Sequence, residues 1–435
     1  MGKKNIVVLV LLVILSLTTN VLGQELKTNP LWARIDQLSS EIEAKAIDWR
    51  RDFHQYPELG FQEFRTSEIV ANHLKSLGIE VKTGVGKTGV VGVLRGKKDT
   101  PVVALRADMD ALPVKEVVNI PFASRVKATV EGKEAFVMHA CGHDVHTATL
   151  MAVAEVLSKI KEELPGTVKF IFQPAEEILP IGGEGGASLM IKEGVLESPK
   201  PDGIFGLHVM PFPGKTIWYR AEGIFGSVDK LEITIKGTQT HGGAPWMGVD
   251  PIVVASQVVL GLQTIVSRQT NLTVTPALIS IATIHGGEQL GIIPEKVEMG
   301  GTIRGFLYIM QSEMHERIQK TAKMIAESAG ATADVRITKI FPVTFNDPDL
   351  TKQLVPTLER VTGRGKLFIT PPIMGGEDFA YYQEKIPGFF FFLGITPEGG
   401  KIVPNHSPHF YVDENAILLG IRAMANLAVD FLSSK

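Results

Sequence analysis

The pattern of apolar and polar positions divides the chain into segments that alternate between helix and strand. Apolar residues recur with helical spacing in residues 36–55 and 63–77, which we predict as amphipathic helices. Short apolar runs, typical of buried strands, alternate with two further helical patterns: strands at 89–94, 102–105, 168–172 and 203–207, and helices at 144–160 and 187–193. Strands that alternate with helices predict an α/β fold with a doubly wound, mostly parallel sheet.

The pattern changes near Gly223. Residues 227–236 alternate strictly between apolar and polar positions, which is typical of a half-exposed strand. The following segments are predicted as helix, strand, strand, helix and strand: 251–268, 277–284, 297–306, 310–328 and 333–340. This β-α-β-β-α-β order is that of the ferredoxin-like split motif. After Asn346 the α/β pattern resumes, with helices near 347–360 and 413–432.

We therefore expect two domains, as the length of 435 residues also suggests. The main α/β domain is predicted to comprise residues 30–222 and 342–435. A smaller, ferredoxin-like α+β domain is predicted to be inserted between them, at residues 223–341.

The N-terminus is typical of an exported protein. Lys3 and Lys4 precede an apolar run at 6–17, and the small residues Val21 and Gly23 stand where a signal peptidase would cleave. We predict that residues 1–23 are a signal peptide and that the protein is periplasmic or secreted, with no stable membrane span after processing. The alternative is that the segment is retained as a membrane anchor.

Charge and cysteine content exclude some classes of partner and bond. The net charge is -3 and no basic stripe is present, so we expect no nucleic-acid partner. The chain has one cysteine, which excludes an intrachain disulfide.

The most informative chemistry lies in residues 139–146, which hold that cysteine and three of the eleven histidines. A thiolate and several imidazoles close together are typical ligands of a transition metal such as zinc. Glu176 and Glu177 follow a predicted strand, and such a pair can divide its work, one binding an ion and the other moving protons. A lone cysteine is usually a buried hydrophobe and a Glu-Glu pair is usually solvated, but the combination indicates a metal-dependent hydrolase.

Polar side chains also follow three predicted strands where each strand ends: Asp108 and Asp110, then Glu176 and Glu177, then His208. Open α/β sheets bind ligands beyond the carboxyl ends of their strands, so these groups are expected to lie together. His406 and His409 come just before the last predicted helix and could close the site.

Six segments carry a resemblance to a known family: residues 105–113, 138–144, 173–177, 206–209, 375–379 and 406–408. The segments occur in the same order as in the metal-dependent aminoacylase and carboxypeptidase family, which the chain resembles from about residue 40 to the end. Within that family it is similar to the branch of hippurate hydrolases, N-acyl-amino-acid amidohydrolases and auxin–amino-acid conjugate hydrolases. Together the segments are specific, although each alone is weak.

The resemblance implies that the main domain is catalytic and that the inserted domain is a lid or dimerisation domain. It implies two divalent metal ions, zinc or else manganese or cobalt, with five ligands: Cys141, His143, Glu177, His208 and His406. It also implies that Glu176 is the general base and that Asp110 orients a ligand. Asp108 stands where related carboxypeptidases carry a metal-binding histidine, and its role is open.

Three further residues are candidates for substrate contact. The resemblance places His241 as an oxyanion donor that reaches in from a partner's lid, which would make the protein a homodimer through the inserted domain. On the sequence alone, His241 is a loop histidine in a glycine-rich turn. Arg304 is a candidate for pairing with a substrate carboxylate, although a strand-end arginine is commonly structural. Gly376 is a candidate substrate contact.

Two segments depart from the family pattern. Residues 291–294 are Gly-Ile-Ile-Pro where the family usually has Asn-Val-Ile-Pro, which puts the substrate preference in doubt. Residues 127–136 are longer than expected and are predicted to form an extra loop or hairpin near the pocket entrance.

The predicted function is hydrolysis of the amide bond of N-acyl amino acids, or similar small amides, by metal-activated water. A dipeptidase or carboxypeptidase on the same scaffold is the alternative within enzymes. An exported binding protein without chemistry is the alternative of another class, and Glu176 argues against it, because a binder needs no free base beside its metal.

Overall fold

The computed structural model describes residues 29–178 and 184–435, so the predicted signal peptide lies outside the described residues. The described α-helices and strands in the first part of the main domain are, in chain order, α1 (Leu31–Gln55), α2 (Phe64–Ser76), β1 (Glu80–Val85), β2 (Gly89–Arg95), β3 (Val102–Asp108), β4 (Lys127–Val130), β5 (Lys133–Phe136), α3 (His143–Ser158), β6 (Thr167–Gln173), α4 (Gly186–Lys192), β7 (Gly203–Pro213), β8 (Ile217–Tyr219) and β9 (Glu222–Phe225).

The inserted domain and the return to the main domain follow. The inserted domain contains β10 (Val228–Lys236), β11 (Thr240–His241), α5 (Pro251–Thr264), β12 (Ala277–His285), β13 (Ile292–Ile293), β14 (Lys296–Gly305), α6 (Tyr308–Ser328) and β15 (Thr332–Phe341). The chain then returns through β16 (Thr344–Asn346), α7 (Pro348–Thr362), β17 (Leu367–Ile369), α8 (Ala380–Gln383), β18 (Gly388–Thr396) and α9 (Ala416–Ser434).

The main sheet has eight strands in the order β1-β2-β6-β3-β7-β18-β8-β17. Its centre, β6 to β18, is parallel, and antiparallel pairs occur only toward the edges, between β1 and β2, β2 and β6, and β18 and β8. The prediction of a doubly wound, mostly parallel sheet is confirmed. Parallel strands run in one direction, so the carboxyl ends of β3, β6 and β7 meet at one edge.

Helices cover both faces of this sheet, and successive side chains of each strand point to opposite faces. On β3, Val103 and Leu105 pack with helices α1, α3 and α9, while Ala104 points into the cluster formed with α4 and α8. Strand β6 alternates in the same way, with Phe170 on the first face and Ile171 on the second. Burial on both faces explains why these strands are continuous apolar runs in the sequence.

The inserted domain is the ferredoxin-like fold that the sequence predicted. Its four strands lie in the order β12-β14-β10-β15, and every neighbouring pair is antiparallel. Alternate residues of β10, among them Leu231 and Ile233, pack with the apolar sides of α5 and α6. Strand β12 lies at one edge of the sheet.

Several boundaries differ from the predicted ones. Helix α1 begins at Leu31 rather than at residue 36. At this start, the Asn29 Oδ1 atom accepts a hydrogen bond from the Leu31 amide at 3.0 Å. The helix predicted at 251–268 ends at Thr264 and continues as a π-helical turn, Ile265–Gln269. Strand β18 was not predicted.

Two described helices are long and apolar enough to cross a membrane by length and composition, Pro251–Gln269 and Ala416–Ser434. From the sequence, no stretch beyond the N-terminal segment was predicted to span a membrane. The apolar stretch of Ala416–Ser434 is 72% buried, as expected of a core helix, whereas that of Pro251–Gln269 is 33% buried. The helix at Pro251–Gln269 therefore leaves an apolar face exposed.

Candidate metal centre

The five predicted ligands converge at the edge of the main sheet where β3 and β6 end. Cys141 lies just before α3 and His143 is its first residue, while Glu177 follows β6. His208 lies within β7, which continues to Pro213 and not, as predicted, only to residue 207. Gly142 separates the first two and adopts φ +90°, a conformation that glycine tolerates best. A β-carbon at Gly142 would also come within 2.2 Å of Val209 Cγ2, so only glycine lets these ligands approach β7 this closely.

The sulfur of Cys141 lies at the centre of the group. Its Sγ atom is 3.4 Å from Nε2 of His208 and 3.3 Å from Nε2 of His406. Glu177 Oε1 is 3.1 Å from Nε2 of His406 and 4.0 Å from Nε2 of His143. Two sets of three donors have ligand atoms within 4.8 Å of one another and share Cys141: Cys141, His143 and His208, and Cys141, Glu177 and His406.

Hydrogen bonds leave the Nε2 atoms of two histidines free to bind a cation. Nδ1 of His208 donates to the Val209 carbonyl at 2.7 Å, and Nδ1 of His143 faces Asp110 Oδ1 at 3.3 Å. Within the described residues, His143 Nε2 and Glu177 Oε1 are buried without a hydrogen-bond partner; the short approach of His406 to Glu177 lacks hydrogen-bond geometry. Unpaired buried polar atoms are costly, so this donor set fits metal ions.

The ionisation of Cys141 also calls for a cation. Burial, and next the charge of Glu177, raise the pKa of the Cys141 thiol above its ordinary value. The thiolate is the form that binds metals, and a neighbouring dication is what stabilises it. The Cys141 and Glu177 side chains raise the pKa of the His406 imidazole to about 10, which shows how strongly this group attracts positive charge.

Asp110 supports the site from below. Its Oδ1 atom accepts a hydrogen bond from the main-chain amide of Glu176, and its Oδ2 atom accepts one from that of Glu177, both at 3.0 Å. The same carboxylate faces His143. Asp110 therefore links the two neighbouring glutamates to a histidine on α3.

Glu176 is 7% exposed and lies beside Glu377 and Asp378. Burial, followed by the charges of Glu377 and Glu177, raises the pKa of Glu176 well above its ordinary value. A buried carboxylate with a raised pKa, next to the ligands, is suited to taking up and releasing a proton.

The sequence analysis missed a buried arginine beneath this carboxylate cluster. Arg106 lies 2.6 Å from Asp108, 3.0 Å from Glu377 and 2.8 Å from Asp378, and it is fully buried. The Gln173 amide also donates to Asp378 at 2.8 Å. Arg106 and Gln173 lie in two of the segments that resemble the family, 105–113 and 173–177, yet the spacing of these segments did not indicate which carboxylates the two side chains would contact.

A cavity of about 440 Å³ opens above the ligands. One wall is apolar and consists of Met210, Phe225, Val228, Phe341 and Ile373. Arg304 and Gly376, both predicted near the substrate, line the same cavity. Arg304 donates to the Met374 carbonyl at 2.7 Å. Burial is the one cause that shifts the pKa of Arg304, and it lowers it; no carboxylate of the described residues acts on this guanidinium.

The structure does not bring His241 to this cavity. The side chain lies in β11 of the inserted domain and is exposed, and its Nδ1 atom accepts from the Gly243 amide at 3.0 Å. Within a single chain, His241 does not line the cavity.

Other candidates from the sequence lie apart from the cavity. Residues 127–136 form the predicted hairpin, β4 and β5, but they do not line the cavity. His409 is exposed and does not line it either. His139 is buried, and its two ring nitrogens have no partner among the described residues.

The fold and the site together define a metal-dependent hydrolase: an α/β sheet whose strand ends carry donors for two divalent cations beside a free carboxylate. Comparison with known proteins agrees. Residues 104–430 match the model of peptidase family M20/M25/M40. The chain belongs to this family.

Relatives in this family include hydrolases of peptides and of acylated amino acids. The chain is 41% identical to thermostable carboxypeptidase 1 of Saccharolobus solfataricus over 90% of this chain and 96% of that protein. It is 39% identical to the N-acetylcysteine deacetylase of Bacillus subtilis over 90% and 97% of the two chains. A solved Bacillus subtilis structure, a dinuclear metal-binding peptidase of the M20 family, is 36% identical to this chain and superposes with a TM-score of 0.77. The match covers 91% of this chain and 100% of that one.

Proposed function

We propose that this protein hydrolyses the amide bond of N-acyl amino acids, releasing a carboxylic acid and a free amino acid. The observation that carries the proposal is the position of Glu176, a buried carboxylate outside the two cysteine-centred donor sets, at the floor of a cavity with one apolar wall. The similarity to a deacetylase of an N-acylated amino acid supports this substrate class.

Two divalent cations, held by Cys141, His143, Glu177, His208 and His406, would supply Lewis-acid activation of the acyl carbonyl and of water. Glu176 takes a proton from the attacking water as the water oxygen bonds to the carbonyl carbon. As the carbon–nitrogen bond breaks, Glu176 gives this proton to the leaving amine. Asp110 keeps Glu176 and Glu177 in place through their main-chain amides.

We propose zinc as the physiological ion, with manganese or cobalt as alternatives. Thiolate and imidazole ligands favour zinc among the divalent ions, while carboxylate ligands also suit manganese. The metal content of protein purified without added metal tests this. A preparation that carries two equivalents of zinc and is active supports the proposal; one active only with manganese contradicts it.

Arg304 is proposed to bind the α-carboxylate of the substrate. It lines the cavity, and within the described part of the chain no acidic side chain acts on its charge. A guanidinium pairs with a carboxylate through two parallel hydrogen bonds, which would orient the scissile amide. Arg304→Lys is expected to raise KM for acyl amino acids about tenfold or more, as loss of one charge-assisted hydrogen bond implies, and to leave the KM for the corresponding amino-acid amides unchanged.

The decisive experiment compares the protein with Glu176→Gln on N-acetyl and N-benzoyl amino acids and on dipeptides with a free amino terminus. The variant keeps the shape of the side chain but cannot accept a proton, so we expect at least a 100-fold loss of kcat with metal content retained. Turnover of dipeptides in preference to acyl amino acids would favour the carboxypeptidase or dipeptidase alternative. Metal binding without turnover of any of these amides would favour the non-catalytic binding protein.

We also propose that the protein is a homodimer through the inserted domain. The supporting observation is the apolar face beside the edge strand β12, where Leu260 is 69% exposed and Ile284 is 49% exposed. A groove of about 430 Å³ lies between α5 and β12 on this face. An exposed edge strand with apolar neighbours favours pairing with a second copy. In such a dimer, His241 of each copy would complete the cavity of the other.

Mixing two inactive variants tests this arrangement. Glu176→Gln and His241→Ala are each expected to be inactive. After unfolding and refolding together, half of the dimers would be mixed, and each would have one intact site, giving about a quarter of the wild-type activity for two-fold symmetric dimers. A sedimenting monomer that is fully active, or no recovery from a mixture shown to contain mixed dimers, would rule the arrangement out.

Export is proposed on the sequence of residues 1–23 alone. Expression of the full chain in a bacterium, followed by mass determination of the mature protein, tests it. Cleavage after Gly23 supports export; recovery of the uncut chain in the membrane fraction supports the retained anchor.

A further inference from the structure

His146 belongs to a group of potential metal donors with Asp108 and His143, yet both of its ring nitrogens are already engaged. The Val209 amide donates to Nε2 of His146 at 2.9 Å, so this nitrogen carries a lone pair and not a proton. The proton is then on Nδ1, which lies 2.5 Å from Asp108 Oδ1 and donates to it. His146 is therefore fixed in one tautomer and has no free atom for a cation.

Asp108 is held as firmly as the histidine. The carboxylate is fully buried, and its Oδ2 atom accepts from Arg106 at 2.6 Å. Its carbonyl accepts from the Thr147 hydroxyl at 2.8 Å. Asp108 thus contacts Arg106 on its own strand β3, and His146 and Thr147 on α3. The Asp108–His146 pair is therefore a rigid connection between β3 and α3.

The far end of this connection is the main chain of Val209, which touches three ligand-bearing segments. The Val209 carbonyl accepts from Nδ1 of His208 at 2.7 Å and from the side-chain amide of Asn405, next to His406, at 3.2 Å. The Val209 side chain packs against Gly142, between Cys141 and His143. The Val209 amide and the Val209 carbonyl belong to the two peptide planes that meet at its α-carbon, so a shift of the main chain at Val209 would disturb His208 and His406 together.

We infer that Asp108 and His146 are positioning residues that hold the main chain at Val209 and, through it, set the positions of His208 and His406 relative to Cys141. The inference rests on the metal centre of the proposed function, but it concerns binding of the ions and not the reaction. It also assigns a role to Asp108, whose part the sequence left open.

Two substitutions at His146 separate this role from simple packing. In His146→Gln the amide oxygen can replace Nε2 and accept from Val209, whereas in His146→Asn the shorter side chain reaches Asp108 but not Val209. The pair of half-buried His315 and buried Asp229 in the inserted domain, with Nε2 and Oδ2 2.6 Å apart, provides a control. His315→Asn removes the same kind of contact far from the ligands.

Co²⁺ and Zn²⁺ affinities of the metal-stripped full chain would be measured by chelator competition, with thermal unfolding to establish that each variant is folded. We expect His146→Asn to bind the ions 10- to 100-fold more weakly, the range for loss of a group that orients a ligand. His146→Gln should stay within about threefold of the wild type, and His315→Asn should bind as the wild type does. The absorption of the thiolate–Co²⁺ pair should shift in His146→Asn alone.

Equal affinities of His146→Asn and the wild type would overturn the inference. Equal losses in His146→Asn and His146→Gln would also overturn it, because the ring would then act by its volume and not through Val209. These results do not depend on turnover, so a wild-type protein that binds both ions but hydrolyses no acyl amino acid would refute the proposed function and leave this inference standing.

Discussion

The sulfur of Cys141 lies 3.3 Å from Nε2 of His406, although 265 positions separate the two residues in the chain. Neither residue alone distinguishes a metal ligand from an ordinary buried cysteine or a loop histidine. Their contact, together with the donors around them, makes Cys141 the shared member of two candidate cation sites.

Cys141→Ser is expected to weaken Co²⁺ binding by at least about 100-fold, beyond the range seen when only an orienting residue is lost. A serine hydroxyl stays protonated where a thiol becomes a thiolate ligand. Because the chain has no other cysteine, any thiolate–Co²⁺ absorption must come from Cys141 and should vanish in the variant. Persistence of that absorption, or unchanged affinity, would contradict the shared-ligand assignment.

Asp110→Asn is expected to lower metal affinity 10- to 100-fold. Both carboxylate oxygens of Asp110 accept hydrogen bonds, and an amide would turn an N–H group toward one of those donors. Asp202→Asn is the matched control, since Asp202 also accepts from a main-chain amide, that of Val102, at the opposite end of β3. Chelator competition on both variants checks this; an equal loss in the two would mean a general effect on the fold.

Gly376→Ala is expected to lower the free energy of unfolding by about 1–3 kcal/mol, the usual cost of overpacking. A β-carbon on Gly376 would come within 2.4 Å of Val228 and 2.7 Å of Phe341, where the inserted domain joins the main one. Gly291→Ala is the control, because a β-carbon there meets no atom within 4 Å, and a surface change of this kind is worth less than about 0.5 kcal/mol. Urea unfolding of both variants decides, and equal stabilities would refute the predicted clash.

Lys169→Met is expected to reduce stability by an amount that grows with pH. The buried amine donates to the carbonyls of Val195 and Glu197 at 2.8 and 2.7 Å, so its loss costs about 1–3 kcal/mol at neutral pH. Burial lowers the pKa of Lys169 from 10.5 to about 8. Between these values the unfolded chain binds a proton that the native chain does not, so wild-type stability gains from rising pH, a gain that the variant lacks.

Urea unfolding at intervals from pH 7 to 10 measures this difference. The gap between wild type and Lys169→Met should widen above about pH 8, the lowered pKa of the native lysine. Lys323→Met, at an exposed position on α6 of the inserted domain, should show a constant gap. A constant gap in Lys169→Met would show that the native and unfolded chains hold this proton equally.

Strands and helices with clear periodicity were predictable, and so was the meeting of polar groups at one sheet edge, because parallel strands all end on the same side. Strand β18 was not predicted, since its unbroken run of four phenylalanines has no periodicity to separate a strand from a helix. The partners of Arg106 could not be predicted either. Glu377 and Asp378 lie 271 and 272 positions away and reach it only through the order of strands in the sheet.

The sequence by itself determined which chemical groups are available: one thiol, several imidazoles and adjacent carboxylates that follow a strand. Its periodicity also specified an α/β domain with an inserted ferredoxin-like α+β domain. Only the tertiary structure decided how those groups are used. It placed the Val209 amide against His146 and the Val209 carbonyl against His208, which leaves the first histidine without a free nitrogen and the second with one directed at Cys141. The reason is that a histidine nitrogen donates or accepts according to the group it faces, and that group comes from another part of the chain.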